Sequence, residues 1–230
     1  MIIGGIQKQS LIDFPGKISC VLFAQGCNFR CPYCHNPQLV KSGTDSSVEE
    51  AWLWDFLKRR TGFIDGVVIT GGEPTLQKDL LAFCGKIKAM GYSLKLDTNG
   101  SRPQMVQELI EEGFVDYIAL DIKTDLSAYS PVLCGESQQV AVLETLRAVL
   151  TSSIEHEFRT TCVKPLVDDS MIEGLIPMVS GADLYSFQQL RTNCGMLNPA
   201  YMKSASRCQL DELKQWGAIL SDHVKAIRIL

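Results

Sequence analysis

The sequence lacks the features that mark several large classes of protein. It contains no apolar stretch near the roughly 18 residues that a membrane helix needs, and no basic run of the kind that binds phosphate backbones. Its first residues do not show the charged-then-apolar order of a signal peptide. We therefore expect a cytoplasmic protein whose partners include neither a membrane nor a nucleic acid.

Linkers, repeats and low-complexity tracts are also missing. No stretch rich in Gly, Pro and Ser divides the chain, and only 9 of the 230 residues are proline. The composition, 46% hydrophobic and 21% charged with a net charge of -4, excludes intrinsic disorder and collagen-like repeats. At this length these properties predict one domain over residues 1–230.

What the sequence does contain is an alternation of short β-branched runs with longer amphipathic stretches, which is typical of βα units in a parallel sheet. Core strands are predicted at residues 18–23, 66–70, 93–97, 117–121, 157–163 and 184–188. Helices are predicted near residues 48–60, 77–90, 103–112, 138–151, 169–179 and 211–221. Short apolar runs at residues 2–6 and 226–230 could add edge strands. The pattern predicts an α/β fold.

In parallel βα folds, ligands bind where the carboxyl ends of the strands meet. The residues that follow the six predicted strands are therefore the ones to examine. They are Gly26-Cys27, Gly71-Gly72-Glu73-Pro74, Asp97-Thr98-Asn99-Gly100, Asp121-Ile122-Lys123, Lys164-Pro165 and Gln188-Gln189-Leu190-Arg191.

Three of the nine cysteines, Cys27, Cys31 and Cys34, fall within eight residues at C-x3-C-x2-C spacing. An odd number of cysteines without a signal peptide argues against a disulfide framework. Three thiols in one loop could hold a [4Fe-4S] cluster and leave one iron open, because such a cluster usually takes four cysteines. Zinc with His35 as a fourth ligand is the alternative, but zinc sites generally use two ligand pairs separated by a longer insert.

The other six cysteines stand alone in the sequence. A second cluster would require Cys134, Cys162, Cys194 and Cys208 to meet in space, since no C-x2-C pair occurs among them. We interpret these thiols, with Cys20 and Cys84, as core or incidental residues.

With Tyr33 as the aromatic residue, C-x3-C-x-aromatic-C after the first strand resembles the signature of the radical S-adenosylmethionine (SAM) superfamily. The resemblance implies a partial (β/α)6 TIM-like barrel and a [4Fe-4S] cluster held by the three cysteines. It also implies that the open iron chelates SAM, which one electron cleaves to methionine and a 5'-deoxyadenosyl radical. Tyr33 would lie near the adenine, or alternatively pack in the core.

Gly71, Gly72 and Glu73 resemble the GGE motif of the superfamily, whose backbone and acidic side chain contact the SAM ammonium. Glycine permits a close approach of the backbone to a ligand. Taken alone, the same residues could form an ordinary tight turn.

Asp97 and Asp121 end adjacent predicted strands, where buried charges are costly unless they are paired or bind a ligand. A structural ion pair between aspartate and lysine is one interpretation. The segments LDTNG and LDIK also resemble strands of the activating enzymes of glycyl radical enzymes. That resemblance implies contact with the SAM ribose and methionine, and a monovalent cation site, for Asp97, Thr98, Asn99, Asp121 and Lys123.

Two further positions are candidates for SAM contact. Val163, with Pro165, could form the apolar side of an adenine pocket or simply belong to the core. Gln188, with Gln189 and Arg191, could contact SAM or lie in a solvated loop, and glutamine stands where some activating enzymes carry histidine.

Asn36-Pro37 after the last cysteine resembles the activating enzymes of glycyl radical enzymes. The opening as far as Val40 resembles, more specifically, the family of anaerobic ribonucleoside-triphosphate reductase activating proteins of the longer type. This resemblance implies an oxidoreductase that abstracts hydrogen from a glycine of a partner glycyl radical enzyme, with flavodoxin or a similar protein as electron donor. A pyruvate formate-lyase-like partner is an alternative. So are a small-molecule radical SAM enzyme of the 7-carboxy-7-deazaguanine synthase type and a non-enzymatic Fe-S or zinc protein.

Overall fold

The computed structural model describes residues 1–40, 47–129, 133–134, 138–191 and 195–230. Its strands are β1 (Ile3–Ser10), β2 (Ser19–Ala24), β3 (Gly66–Gly71), β4 (Ser93–Thr98), β5 (Tyr117–Asp121), β6 (Glu155–Lys164), β7 (Leu184–Gln189), β8 (Ser206–Arg207) and β9 (Ile227–Ile229). Its helices are α1 (Glu50–Arg60), α2 (Leu80–Ala89), α3 (Pro103–Glu111), α4 (Gln139–Thr151), α5 (Asp169–Val179), α6 (Pro199–Met202) and α7 (Leu210–Leu220).

The strands form one mostly parallel sheet in the order β1-β2-β3-β4-β5-β6-β7-β9. β2 to β7 pair in parallel, β9 joins β7 in parallel, and β1 pairs with β2 antiparallel. Among the described residues no pairing joins β1 to β9, so the sheet is an open, partial barrel. The predicted α/β partial barrel is confirmed, and the runs at both ends of the chain form its edge strands.

Side chains alternate between the two faces of each strand, and the two faces carry different cores. The outer face packs against the helices in one large apolar cluster that includes Leu22, Ile69 and Leu120. The inner face carries a small cluster of Phe14, Val21, Val68, Tyr117 and Ala119. The rings of Phe14 and Tyr117 lie 6.1 Å apart, near the amino ends of β2 and β5. At the carboxyl end of the barrel the inner face therefore carries polar residues.

Two local departures from the predicted elements matter for the site. A 3-10 turn over Pro74–Leu76 delays the start of α2 to Leu80, three residues later than predicted. The Gln77 side chain donates to the Gln25 carbonyl at 2.7 Å, so this segment is held against the loop that follows β2. The short strand β8, which was not predicted, pairs antiparallel with the end of β6.

None of the helices in the described ranges has both the length and the apolar character needed to cross a membrane.

Candidate functional site

A cavity with about 870 Å³ of space open to solvent lies at the carboxyl ends of the parallel strands. Most of the predicted site residues line it, whereas Val163, Pro165, Gln189 and Arg191 do not. The complete lining is Cys27, Phe29, Cys31, Tyr33, Cys34, His35, Asn36, Val40, Thr70, Gly71, Gly72, Glu73, Asp97, Thr98, Asn99, Asp121, Lys123, Thr161 and Gln188.

The cysteine loop is fixed at its base by backbone hydrogen bonds. The Gly26 N–H donates to the Leu39 carbonyl at 2.8 Å, and the Cys27 N–H donates to the Val40 carbonyl at 3.2 Å. Cys31 is buried, while Cys27 and Cys34 are half-buried. Burial raises the pKa of the Cys27 thiol to about 11 and that of the Cys31 thiol to about 12. Without a metal these thiols are therefore protonated, and iron must displace their protons on binding.

Tyr33 and Lys123 line the same cavity beside the cysteines. The Tyr33 hydroxyl is buried and makes no hydrogen bond within the described part of the chain. Lys123 lies close enough to the cysteine loop for its positive charge to oppose the burial-driven rise in the pKa of Cys31. Its Nζ lies 3.3 Å from Asp121 Oδ2. An unsatisfied hydroxyl and a cation beside three thiols fit a polar, anionic ligand.

The Gly71-Gly72 turn stands directly against the cysteine loop. The Gly72 N–H donates to the Ala24 carbonyl at 2.9 Å, and the Glu73 N–H donates to the Gly26 carbonyl at 2.8 Å. Gly71 has a φ of +110°, and a Cβ on Gly72 would lie 2.2 Å from the Gly26 oxygen. Glycine is required here because the two loops approach at backbone contact distance.

Glu73 lines the cavity, and its carboxylate accepts hydrogen bonds from neighbouring residues of the chain. It is fully buried, and Oε1 accepts from the Thr75 backbone N–H at 3.1 Å, the Thr75 hydroxyl and the Thr98 hydroxyl at 2.8 Å. Oε2 accepts from the Asn99 N–H at 2.7 Å. Burial raises the pKa of Glu73, and these hydrogen bonds oppose the rise. In this structure the side chain joins the end of β3 to the end of β4.

Asp97 and Asp121 are held together by Arg159, a residue of β6 that the sequence analysis did not select. Arg159 Nη1 lies 3.2 Å from Asp97 Oδ2, and its Nε lies 2.8 Å from Asp121 Oδ1. Lys95 Nζ lies 3.2 Å from Asp97 Oδ1. Burial alone would raise the pKa of Asp121, but Arg159 and Lys123 outweigh it and hold the pKa at about 2. The Asp121 carboxylate is thus ionised, and both carboxylates are paired with basic side chains.

Lys95, Glu157 and Arg159 carried a signal that was overlooked. Each is a charged residue inside a predicted core strand, and Lys95 has the same parity as Asp97, which was already assigned to the site. Because side chains alternate along a strand, Lys95 shares the inner face with Asp97, and Arg159 shares it with Thr161.

The remaining candidates divide between cavity and core. Gln188 lines the cavity, and its Oε1 lies 3.5 Å from the Thr161 hydroxyl. Val163 is fully buried where β6 pairs with β8, and it does not line the cavity. The predicted adenine contact for Val163 therefore has no support from its position.

Five of the six cysteines outside the cluster motif lie apart from the cavity lining. Cys20, Cys84, Cys134, Cys162 and Cys208 are buried core residues, and Cys194 lies outside the described residues. Within the part of the chain that is described, no three His, Cys, Asp or Glu side chains are arranged for a single metal ion.

A second cavity, with about 1520 Å³ of open space, adjoins the first and shares His35, Asn36, Thr161 and Gln188 with it. Ile12 and Asp13 of the β1–β2 loop line one side, and Arg228 and Leu230 at the β9 edge also line it. The second cavity thus reaches both edges of the open sheet.

Comparison with known proteins decides the family. Residues 21–175 match the sequence profile of the Radical SAM superfamily. The chain belongs to the radical SAM superfamily. Enzymes of this superfamily use a [4Fe-4S] cluster and SAM. The three thiols, the adjoining polar cavity and the unsatisfied Tyr33 hydroxyl fit both groups.

Relatives narrow the assignment within the superfamily. A Methanocaldococcus jannaschii protein named as a glycyl-radical enzyme activating enzyme is 34% identical over 238 residues, covering 99% of this chain and 95% of its own. This radical SAM chain therefore belongs to the glycyl-radical enzyme activating enzymes. The pyruvate formate-lyase-activating enzyme of Listeria monocytogenes is 35% identical over 128 residues, about half (51%) of either chain.

Solved structures agree on the radical SAM fold. SuiB of Streptococcus suis bound to S-adenosylmethionine superposes with a TM-score of 0.69 at 14% identity, over 91% of this chain and 49% of SuiB. At that identity the likeness concerns the fold alone.

Proposed function

We propose that this enzyme abstracts a hydrogen atom from the Cα of a glycine in a partner glycyl radical enzyme, using SAM as the radical source. The observation that carries the proposal is the pair of adjoining cavities. One cavity contains the three thiols, and the other extends from it to both edges of the open sheet. A chain segment of a partner protein could enter by that open side.

When bound, the cluster would supply one electron from an external donor for the reductive cleavage of SAM. The products would be methionine and 5'-deoxyadenosine, which carries the hydrogen taken from glycine. In this chain Cys27, Cys31 and Cys34 would hold the cluster. The Gly71-Gly72 turn would offer backbone groups to the SAM ammonium. Tyr33, with its free buried hydroxyl, would lie beside the adenosine.

Polar residues at the ends of β4 to β7 would orient SAM. Asp97, Thr98, Asp121, Lys123 and Gln188 face one cavity, so they can contact the ribose and the methionine carboxylate together. Lys123 would attract that carboxylate. The Arg159 guanidinium pairs with both Asp97 and Asp121. It therefore already provides a positive charge at the place where a monovalent cation is expected.

For the partner we infer an anaerobic ribonucleoside-triphosphate reductase, with reduced flavodoxin or a similar protein as electron donor. The support for this partner is the resemblance of residues up to Val40, which include the cysteine loop and the β1–β2 loop at the second cavity.

The first experiment tests the chemistry of the enzyme itself. The protein is reconstituted anaerobically with iron and sulfide, reduced, and supplied with SAM. We expect 5'-deoxyadenosine and methionine from the natural sequence. Cys31→Ala should lose the cluster and the products, whereas Cys84→Ala, at a core thiol outside the cavity, should keep both. Absence of 5'-deoxyadenosine from a fully loaded protein would contradict the assignment.

The second experiment identifies the partner. The reduced enzyme and SAM are mixed with an anaerobic ribonucleotide reductase or with pyruvate formate-lyase from the same organism. Electron paramagnetic resonance (EPR) should show a glycyl radical doublet with the reductase. A doublet only with the lyase would replace the inferred partner and keep the reaction.

A further inference from the structure

The sulfur of Cys27 differs from those of the other two cysteines in its surroundings. It accepts from the Phe29 backbone N–H at 3.4 Å and lies 3.9 Å from Asn99 Nδ2. In the described ranges no hydrogen bond donor reaches the sulfur of Cys31 or Cys34. The three predicted ligands are thus unequal, and Asn99 provides the one side-chain donor.

The orientation of the Asn99 amide follows from its neighbours. Its Oδ1 accepts from the Ser101 backbone N–H at 2.9 Å, and a backbone N–H can only donate. The amide NH₂ group must therefore point the other way, towards Cys27 and Asn28, whose Oδ1 accepts from Nδ2 at 3.1 Å. The hydrogen bonds of Asn99 therefore determine that its amide nitrogen, and not its oxygen, faces the Cys27 sulfur.

The backbone of Asn99 is fixed as firmly as its side chain. Its N–H donates to Glu73 Oε2 at 2.7 Å, and the residue is 4% exposed. Glu73 in turn belongs to the turn that contacts Gly26 through its own N–H. Asn99 thereby joins the ends of β3 and β4 to the first cysteine of the loop.

We propose that Asn99 is a positioning residue that donates an N–H to the Cys27 thiolate and raises the midpoint potential of the cluster. A hydrogen bond to a ligating sulfur withdraws negative charge from it and favours the reduced state, which carries one more electron. This role differs from the SAM contact expected for Asn99 from sequence. It rests on the cluster of the superfamily and is independent of the glycine substrate.

Asn99→Asp tests the donor, because aspartate keeps the shape and can still accept from Ser101 but brings no N–H to the sulfur. The reconstituted protein, without SAM, is titrated with a reductant while EPR measures the reduced cluster. We expect the ratio of reduced to oxidised cluster at a given potential to fall at least tenfold. For a one-electron couple this corresponds to a midpoint potential that is lower by about 59 mV. Asn99→Ala, which adds no charge, should shift the potential in the same direction by less.

Thr75→Val is the matched control. It removes a hydroxyl that donates to Glu73 in the same network, but no donor to sulfur. Its potential should equal that of the natural protein at equal iron content. Unchanged potentials in both Asn99 variants, or an equal shift in Thr75→Val, would overturn the proposal. Weaker SAM binding with an unchanged potential would make Asn99 a SAM ligand instead. A missing glycyl radical would leave these potentials unaffected.

Discussion

At the scale of single residues, Arg159 compensates the negative charges at the carboxyl end of the barrel. Its guanidinium, 12% exposed, contacts carboxylates from β4 and β5. A buried pair of this kind contributes little net stability, but removal of one partner leaves charges without compensation. Arg159 therefore compensates the charge of Asp121 beside the cavity and pairs with Asp97 as well.

Arg159→Gln should destabilise the fold by about 3 kcal/mol, because two partly buried carboxylates lose their common partner. Urea unfolding followed by circular dichroism would measure the change. Arg59→Gln is the control, since Arg59 pairs with Asp55 on the surface of α1. We expect the control to lose less than about 1 kcal/mol. Equal losses in the two variants would refute this account of Arg159.

The loss in Arg159→Gln should depend on pH. In the natural protein the pKa of Asp121 is held at about 2, below its ordinary value of 3.8, so its pairing contributes stability above about pH 4 that is lost as pH falls towards 2. Without Arg159, burial raises the pKa and the carboxylate takes up a proton earlier. The difference between variant and natural protein should therefore narrow below about pH 4, as measured by urea unfolding across pH.

At the scale of elements, the contact between the loops after β2 and β3 sets the position of the SAM turn. At Gly72 and Glu73 the two loops meet through backbone hydrogen bonds, in which no side chain can adapt to a change. A displacement of the turn would also displace the cysteine loop, because the Glu73 N–H donates to the carbonyl of Gly26, the residue before Cys27.

Gly71→Ala and Gly91→Ala separate the effect of space from that of conformation. Both glycines have positive φ, so alanine costs each about 1 kcal/mol of stability. A Cβ on Gly71 would lie 2.6 Å from the Ala24 nitrogen, whereas one on Gly91 meets nothing within 4 Å. Calorimetry should show at least tenfold weaker SAM binding for Gly71→Ala and no change for Gly91→Ala. Equal SAM affinities would show that the close approach is unimportant.

The elements were predicted well where local pattern decides them. The six core strands were predicted because each is a short, mostly apolar run between longer amphipathic stretches. The start of α2 was predicted too early because the 3-10 turn depends on a tertiary contact of Gln77 with Gln25. Likewise β8 has only two residues and exists through its pairing with β6. Such features have no periodicity to detect.

The part of the candidate site that consists of sequence motifs could be predicted from the sequence. The cysteine loop, the glycine turn and the strand-end residues meet in one cavity, as their positions after parallel strands require. The spacing of residues in the sequence could not show that the Glu73 carboxylate accepts hydrogen bonds from Thr98 and Asn99, because these bonds depend on the distance between two loops. Arg159 could have been found from strand parity.

At the scale of the whole molecule, the open sheet places the second cavity where a partner must approach. Exposed apolar side chains occur at its rim in the β1–β2 loop, where Ile12 lines the cavity and is 82% exposed, and Leu11 beside it is also exposed. Exposed large apolar residues of this kind are suited to a protein interface. We therefore expect this loop to contact the partner enzyme.

Ile12→Asp should reduce the rate of glycyl radical formation at least tenfold while leaving SAM cleavage without the partner unchanged, because the residue lines only the second cavity. EPR of the partner and chromatography of 5'-deoxyadenosine measure the two quantities. Phe63→Asp is the matched control, since Phe63 is similarly exposed at 73% but lies in the α1–β3 loop, away from both cavities. If both variants slowed radical formation equally, the second cavity would lose its role as the entrance, whereas loss with Ile12→Asp alone would place the partner at the open side of the barrel.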